Sequence, residues 1–291
     1  MKRRHEHLLE PEVPYEEEDE LKFEEEEKRA MVLIDLGHDE LFATGIGRMP
    51  GIIAGVVAGG RPFVNWLIHH RDYEVALTEH RLSRSLLSDW DILLIINPSG
   101  DKEFFPEEVD AILEWVKGGG CLLFARPIGK NMLESFTRKI GLIFTRRKLS
   151  QPYFFADIND RIMKQDPEAY GKIKELLNEH FINKGVPVVA EGPYKSKLYP
   201  YAIEVDDNWK VIGVGIGERG NPEVVAAVRE FGNGAIVALG MMYIFYTWNF
   251  WLRNEKYERD PRATLRTVTF FNRIFDYFDI IVERKKAKQR E

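Results

Sequence analysis

Short apolar runs recur along the first half of the chain, with amphipathic stretches between them. Met31-Val32-Leu33-Ile34-Asp35 has the length and continuity of a buried parallel strand. A long glycine-rich connection follows, and then the pattern predicts a helix over Pro62–His70. Tyr73–Leu77 reads as a second strand, Leu82–Leu87 as a short helix and Asp91–Ile96 as a third strand, stopped by Asn97-Pro98-Ser99-Gly100. Pro106 suits the first turn of the next helix, and Glu107 and Glu108 suit its positive end. Val109, Ile112, Leu113 and Val116 give that helix one apolar face, and Gly118-Gly119-Gly120 ends it. Cys121–Ala125 follows as a fourth strand, Asn131–Ile140 as a helix and Leu142–Thr145 as a fifth strand. Alternation of this kind builds a parallel sheet with helices on both faces.

The pattern then changes. Asp166–His180 reads as a helix, and after Pro187 come four runs with strand character: Tyr201–Val205, Val211–Ile216, Val224–Glu230 and Ala235–Leu239. Phe231-Gly232-Asn233-Gly234 predicts a tight hairpin between the last two, with Asn-Gly taking the positive φ. Leu265, Val268, Phe271, Phe275, Phe278 and Ile281 recur at helical spacing and mark a closing amphipathic helix. The expected architecture is α/β: an open, mostly parallel sheet flanked by helices, with a β-rich C-terminal extension and a closing helix.

Composition adds limits. A chain of 291 residues with 44% hydrophobic and 30% charged residues can bury a sizeable core. The apolar run Gly51–Ala58 is too short to span a membrane, so no membrane span is expected. Met1-Lys2-Arg3-Arg4-His5 leads into acidic residues, unlike a secretory signal. A single cysteine, Cys121, permits no internal disulfide and fits a reducing cytoplasm. Abundant Lys and Glu also fit a thermophile. The net charge of −6 is concentrated in Glu16–Glu20 and Glu24–Glu27. Residues 1–29 therefore read as an acidic disordered arm, either a solvated tail or an interaction segment, ahead of a domain over residues 30–281. The basic residues in 282–291 read as a tail of opposite sign.

Four features combine into a resemblance. They are Val32-Leu33-Ile34-Asp35-Leu36-Gly37-His38, Asp91–Ile96, the stretch Glu107–Gly120 running into Cys121-Leu122-Leu123-Phe124, and Ala227–Gly240. Together they resemble the class I glutamine-amidotransferase-like superfamily. The likeness is to its non-catalytic branch, found in gliding-motility transporter-associated proteins, intraflagellar-transport proteins and many prokaryotic proteins. The resemblance implies that a catalytic Cys would stand in the turn after a sheet strand. That turn here is Ala125-Arg126-Pro127-Ile128-Gly129, and neither Arg126 nor Pro127 can attack a carbonyl. Glutaminase activity is therefore not expected. Asp35 and His38 match acidic and histidine positions after the first strand of that branch.

Open parallel sheets bind ligands beyond the carboxyl ends of their strands. That rim is expected to gather His38, Asp39, Asn97, Ser99, Arg126, Lys130 and Asn131, with Arg126 and Lys130 suited to an anionic group. Tyr243 and Trp248 belong to an aromatic stretch, Met241–Trp251, that is either a contact surface near the rim or a satellite core. His38-Asp39-Glu40 could hold a divalent metal, but the spacing lacks a helical ligand motif, and no cofactor is expected. Gly215-Ile216-Gly217-Glu218-Arg219-Gly220 matches a dinucleotide fingerprint by letter, yet strand character follows it where the fingerprint needs a helix. Cys121 opens a buried strand and reads as structural.

The expectation is a non-catalytic binding or scaffold protein. Its partner is a protein or a small polar ligand at the rim, or a second copy of the chain, and nucleic acid is disfavoured by the acidic balance. The rival expectation is a small-molecule or carbohydrate-related enzyme using His38 and Asp39 as acid–base or metal groups.

Overall fold

The apolar runs of the first half pair as parallel strands in the computed structural model. The structure describes residues 29–38, 61–96, 98, 103–127, 133–158, 163–164, 166–190, 199–241 and 261–290. In chain order, β1 (Met31–Asp35), α1 (Arg61–Arg71), β2 (Glu74–Thr78), α2 (Arg84–Leu87), β3 (Ile92–Ile95), α3 (Pro106–Lys117) and β4 (Cys121–Ala125) alternate as the pattern predicts. α4 (Glu134–Thr137) is shorter than its expected span and passes into a 3₁₀ turn over Arg138–Ile140.

The extension continues the same sheet. β9 (Lys210–Ile216), β10 (Pro222–Phe231) and β11 (Gly234–Leu239) stand where the sequence places them. With β6 at Tyr153–Phe155 and β7 at Val188–Ala190, the sheet has nine strands in the order β2-β1-β3-β4-β11-β10-β9-β6-β7. β11 lies parallel to β4, with Ala235 opposite Cys121, and every later neighbour is antiparallel. β6 and β7, at three residues each, are too short to show a period in the sequence.

Two expectations change. The predicted fifth strand is real as β5 (Leu142–Lys148), but it leaves the parallel sheet and pairs antiparallel with β8 (Tyr201–Val205). Its alternation of buried and exposed residues fits a ribbon covered on one side. The β10–β11 turn forms as expected, but Gly232 takes the positive φ of 69°. A Cβ there would meet the Lys117 backbone at 2.7 Å, so glycine is required twice over. The glycine fingerprint falls on the β9–β10 hairpin, where the Gly217 amide donates to the Asn221 carbonyl at 2.8 Å. No helix opens there, which removes the dinucleotide reading.

The sheet separates two cores, and β4 feeds both by strand alternation. Cys121, Leu123 and Ala125 face one side, while Leu122 and Phe124 face the other. On the first side, α1 and the closing helix α6 (Pro261–Arg290) cover the sheet through Phe63, Phe271, Phe275 and Phe278. On the second, Val109, Ile112 and Val116 of α3 pack with Phe136. α5 (Pro167–Leu176), capped by the Asp166 side chain, adds a small cluster around Ile173. α6 continues through residues 282–290, so the basic C-terminal stretch is helical. Burial pushes the Cys121 thiol far above its usual range, in keeping with a structural role. Among the described residues, no helix is long and apolar enough to cross a membrane.

An ionic cluster closes the amino end of the strands. Asp279 of α6 accepts from Arg71 at 2.7 Å and from the Tyr73 hydroxyl at 2.6 Å, and Arg29 reaches it at 3.0 Å. Asp276 takes the other Arg71 nitrogen at 2.7 Å. Burial pushes the Asp279 carboxyl above its usual range, against the pull of Tyr73 and the arginines.

Candidate functional site

β1 lies between β2 and β3, so the chain leaves it to one side and returns on the other. α1 covers one face after β1, and α3 covers the opposite face after β3. Such a reversal splays the connections apart and leaves a crevice at the carboxyl ends of the strands. The residues leaving β1 stand at that point.

Asp35 is the last residue of β1 and is buried. One carboxylate oxygen accepts from the Gly37 amide at 2.9 Å, which bends the chain sharply after the strand. The other stands 2.9 Å from His38 Nδ1. The opposite ring nitrogen, Nε2, lies 3.6 Å from Glu108 Oε2. The imidazole rests against the Phe104 ring, with centroids 4.3 Å apart. His38 is thus a buried ring between two carboxylates and an aromatic wall.

Glu108 is held as firmly as the histidine. It lies in the first turn of α3 and accepts from the Phe105 amide at 3.0 Å and the Leu82 amide at 2.9 Å. These bonds satisfy one open donor at the helix start and another in the connection before α2. A carboxylate is also favoured at a helix N-terminus. The cluster therefore ties β1, the β2–α2 connection and α3 together at the switch point.

Two strands across the sheet, about 10 Å away at ~4.8 Å per step, Arg126 follows β4. Its amide donates to the Leu239 carbonyl at 2.9 Å. Its guanidinium lies 3.7 Å from the centroid of the Tyr201 ring, and Nη1 donates to the Pro127 carbonyl at 3.2 Å. The side chain is buried. Tyr201 is brought there by Gly240, where a Cβ would stand 2.0 Å from the Tyr201 carbonyl oxygen. The turn after β4 is filled by a stacked cation and a proline.

Of the expected rim residues, His38 and Arg126 are both at the carboxyl end, just after β1 and β4. Asp39, Asn97, Ser99, Lys130, Asn131, Tyr243 and Trp248 lie outside the described residues. Among the described residues, no group of three metal-ligating side chains could hold an ion. Glu108, Phe104 and Tyr201 were not legible as site residues. For Glu108 the available signal was its place in the first turn after Pro106, which the sequence explains by the helix alone. Tyr201 carries no sequence signal, because only the fold brings β8 to the end of β4.

No protein-family model and no curated protein sequence matches the chain. Solved structures do resemble it. The mmIFT52 N-terminal domain aligns over 85% of this chain and 97% of its own, at 10% identity and a TM-score of 0.52. A putative ThuA-like protein from Bacteroides uniformis ATCC 8492 covers 85% of this chain and 91% of its own, at 12% identity and a TM-score of 0.49. A putative GMP synthase protein from Thermoplasma acidophilum covers 90% and 98%, at 9% identity and a TM-score of 0.45. At these identities the likeness is one of fold.

Proposed function

We propose that this chain is a non-catalytic member of the amidotransferase-like group, a binding or scaffold protein that receives a protein partner or small polar ligand at the carboxyl rim of its sheet. The observation that carries this reading is the turn after β4. Arg126 is buried there against Tyr201, where the resemblance would put a nucleophile. The histidine at the switch point supports it. His38 Nδ1 is engaged by Asp35 at 2.9 Å, and Nε2 lies 3.6 Å from Glu108 beside the Phe104 ring, so the imidazole helps to tie the loops of the rim together. The single cysteine suits a cytoplasmic setting.

The test compares partners recovered by the wild-type chain, by Arg126→Ala and by Trp248→Ala with Tyr243→Ala. Loss of the same partner from the variants, at unchanged melting temperature, is the expected result. Equal recovery would take the partner away from the rim. Stoichiometric metal in the purified protein, lost in His38→Ala, would transfer the site to the enzyme reading with His38 and Asp39 as ligands.

A further inference from the structure

At the amino end of the strands, a groove of about 310 Å³ lies between the β10–β11 turn and the last turns of α6. Arg284, Lys285 and Lys288 supply its charge from the helix, with Asn233 and Tyr277 beside them. Lys285 also reaches Asp91 at 3.2 Å, and Lys288 donates to Asn233 Oδ1 at 3.1 Å. Glu230 is the one acid among the lining residues, and it accepts from the Tyr277 hydroxyl at 3.3 Å. The groove is therefore a positive surface. The helix dipole favours cations only within the last turn, and Arg284 and Lys285 stand before it.

We propose that this groove is a docking site for an acidic peptide, and that its occupant is the chain's own segment Glu24–Glu27. Charge complementarity supports the match: the sequence offers four consecutive glutamates, and the groove offers three cations. The tether supports it independently. Arg29 is fixed beside α6, its side chain 3.0 Å from Asp279 and its amide 3.3 Å from the Asp72 carbonyl. Glu24 is five residues from Arg29 and can reach about 17 Å at ~3.4 Å per residue. From Asp279 to Lys288 the helix advances about 13.5 Å at ~1.5 Å per residue and turns to its opposite side, so the segment reaches Lys288 only when extended around the helix. A short tether also raises the local concentration of the acidic segment far above that of a free peptide. The docked segment keeps other polyanions off a basic helix in a chain of net charge −6.

Disulfide trapping in the full chain tests this. Glu24→Cys is paired with Lys288→Cys in the groove. A control pairs it with His70→Cys at the exposed end of α1, which lies beside the same anchor. Cys121 is buried and does not compete. Under mild oxidation at low salt, the 24–288 bond should close within the monomer several-fold faster than the 24–70 bond. At ~1 M salt, where charges are screened beyond about 3 Å, the difference should vanish. Equal rates at low salt would overturn the proposal. Disulfides found only between chains would give the groove to a second copy's arm and overturn it equally. Tight binding of a single-stranded oligonucleotide by the wild-type chain, abolished by Lys288→Gln, would assign the groove to nucleic acid instead. None of these outcomes depends on the rim, so the reading of the rim stands or falls separately.

Discussion

At the amino end of the strands, Asp279 gathers Arg71, Tyr73 and Arg29 from segments far apart in the chain. At the carboxyl end, His38 is flanked by Asp35, three residues before it, and by Glu108 at the start of α3. Both clusters bury charge, but their partners differ in kind. The amino-end acid is satisfied by side chains, and its removal would strand the buried Arg71 guanidinium. The rim acids spend most of their bonds on backbone amides, which position loops. The first arrangement holds the closing helix to the sheet. The second fixes the connections at the carboxyl end of the strands.

Breaking the amino-end cluster should therefore have the largest effect. Asp279 is 3% exposed and Arg71 is 7% exposed, so Asp279→Ala takes the carboxylate from Nη2 of a buried guanidinium and from the Tyr73 hydroxyl, leaving Arg71 the partly exposed Asp276 as its carboxylate partner. The expected loss is about 3–5 kcal/mol by denaturant unfolding. Asp276→Ala removes a partner that is 38% exposed and should cost less than about 1 kcal/mol. Equal effects from the two would mean that Asp279 contributes nothing beyond a surface pair.

The apolar side of the same junction sharpens the point. Phe275 is buried beneath Phe63, Trp66 and Tyr73, with ring centroids 5.6 to 6.2 Å away. Phe275→Ala should cost about 3–5 kcal/mol. A loss well under ~1 kcal/mol would show that the α6 face does not support the fold in solution.

The rim cluster should give less. Glu108→Ala removes the acceptor of the Phe105 and Leu82 amides. The expected cost is about 1–3 kcal/mol. Glu108→Gln keeps a side-chain oxygen and should recover part of it. If Glu108→Ala were as damaging as Asp279→Ala, the rim would be a structural lock of the same kind.

The contrast also explains what the sequence could show. Strand and helix order in residues 31–125 was legible because each run carries a complete period of its own. The five buried residues of β4 and the helical spacing of Phe271, Phe275 and Phe278 are cases of this. The sheet order was not legible. Nothing in Leu142–Lys148 tells a fifth parallel strand from half of a side ribbon, because pairing depends on β8, nearly sixty residues later. The site divides in the same way. Asp35 and His38 are near neighbours and could be picked out together. Glu108 joins them, and Tyr201 meets Arg126, only through the fold, and the cluster around Asp279 likewise assembles only there.

The smallest expected effect is a pH slope from His180, which borders the closing helix at Tyr277. Its Nδ1 accepts from the Ile182 amide at 3.2 Å, and its ring meets Tyr277 edge-on at 4.9 Å. Burial lowers its pKa from 6.5, Lys210 lowers it further, and Glu230 opposes both. The sign follows from proton uptake. The unfolded chain binds this proton first as the pH falls through 6.5, so stability drops from there down to the lower folded pKa and then levels off. Protonation would also remove the acceptor that Ile182 uses. His180 is partly exposed, so the slope should be shallow and read best as a difference. His180→Asn keeps an acceptor near Nδ1 and carries no titrating proton. Unfolding midpoints for the two chains should run parallel above pH ~6.5 and diverge below it, with the wild type falling faster. Parallel curves down to pH ~5 would mean that the His180 proton is bound equally in both states, and the contribution of this edge of the helix would be packing alone.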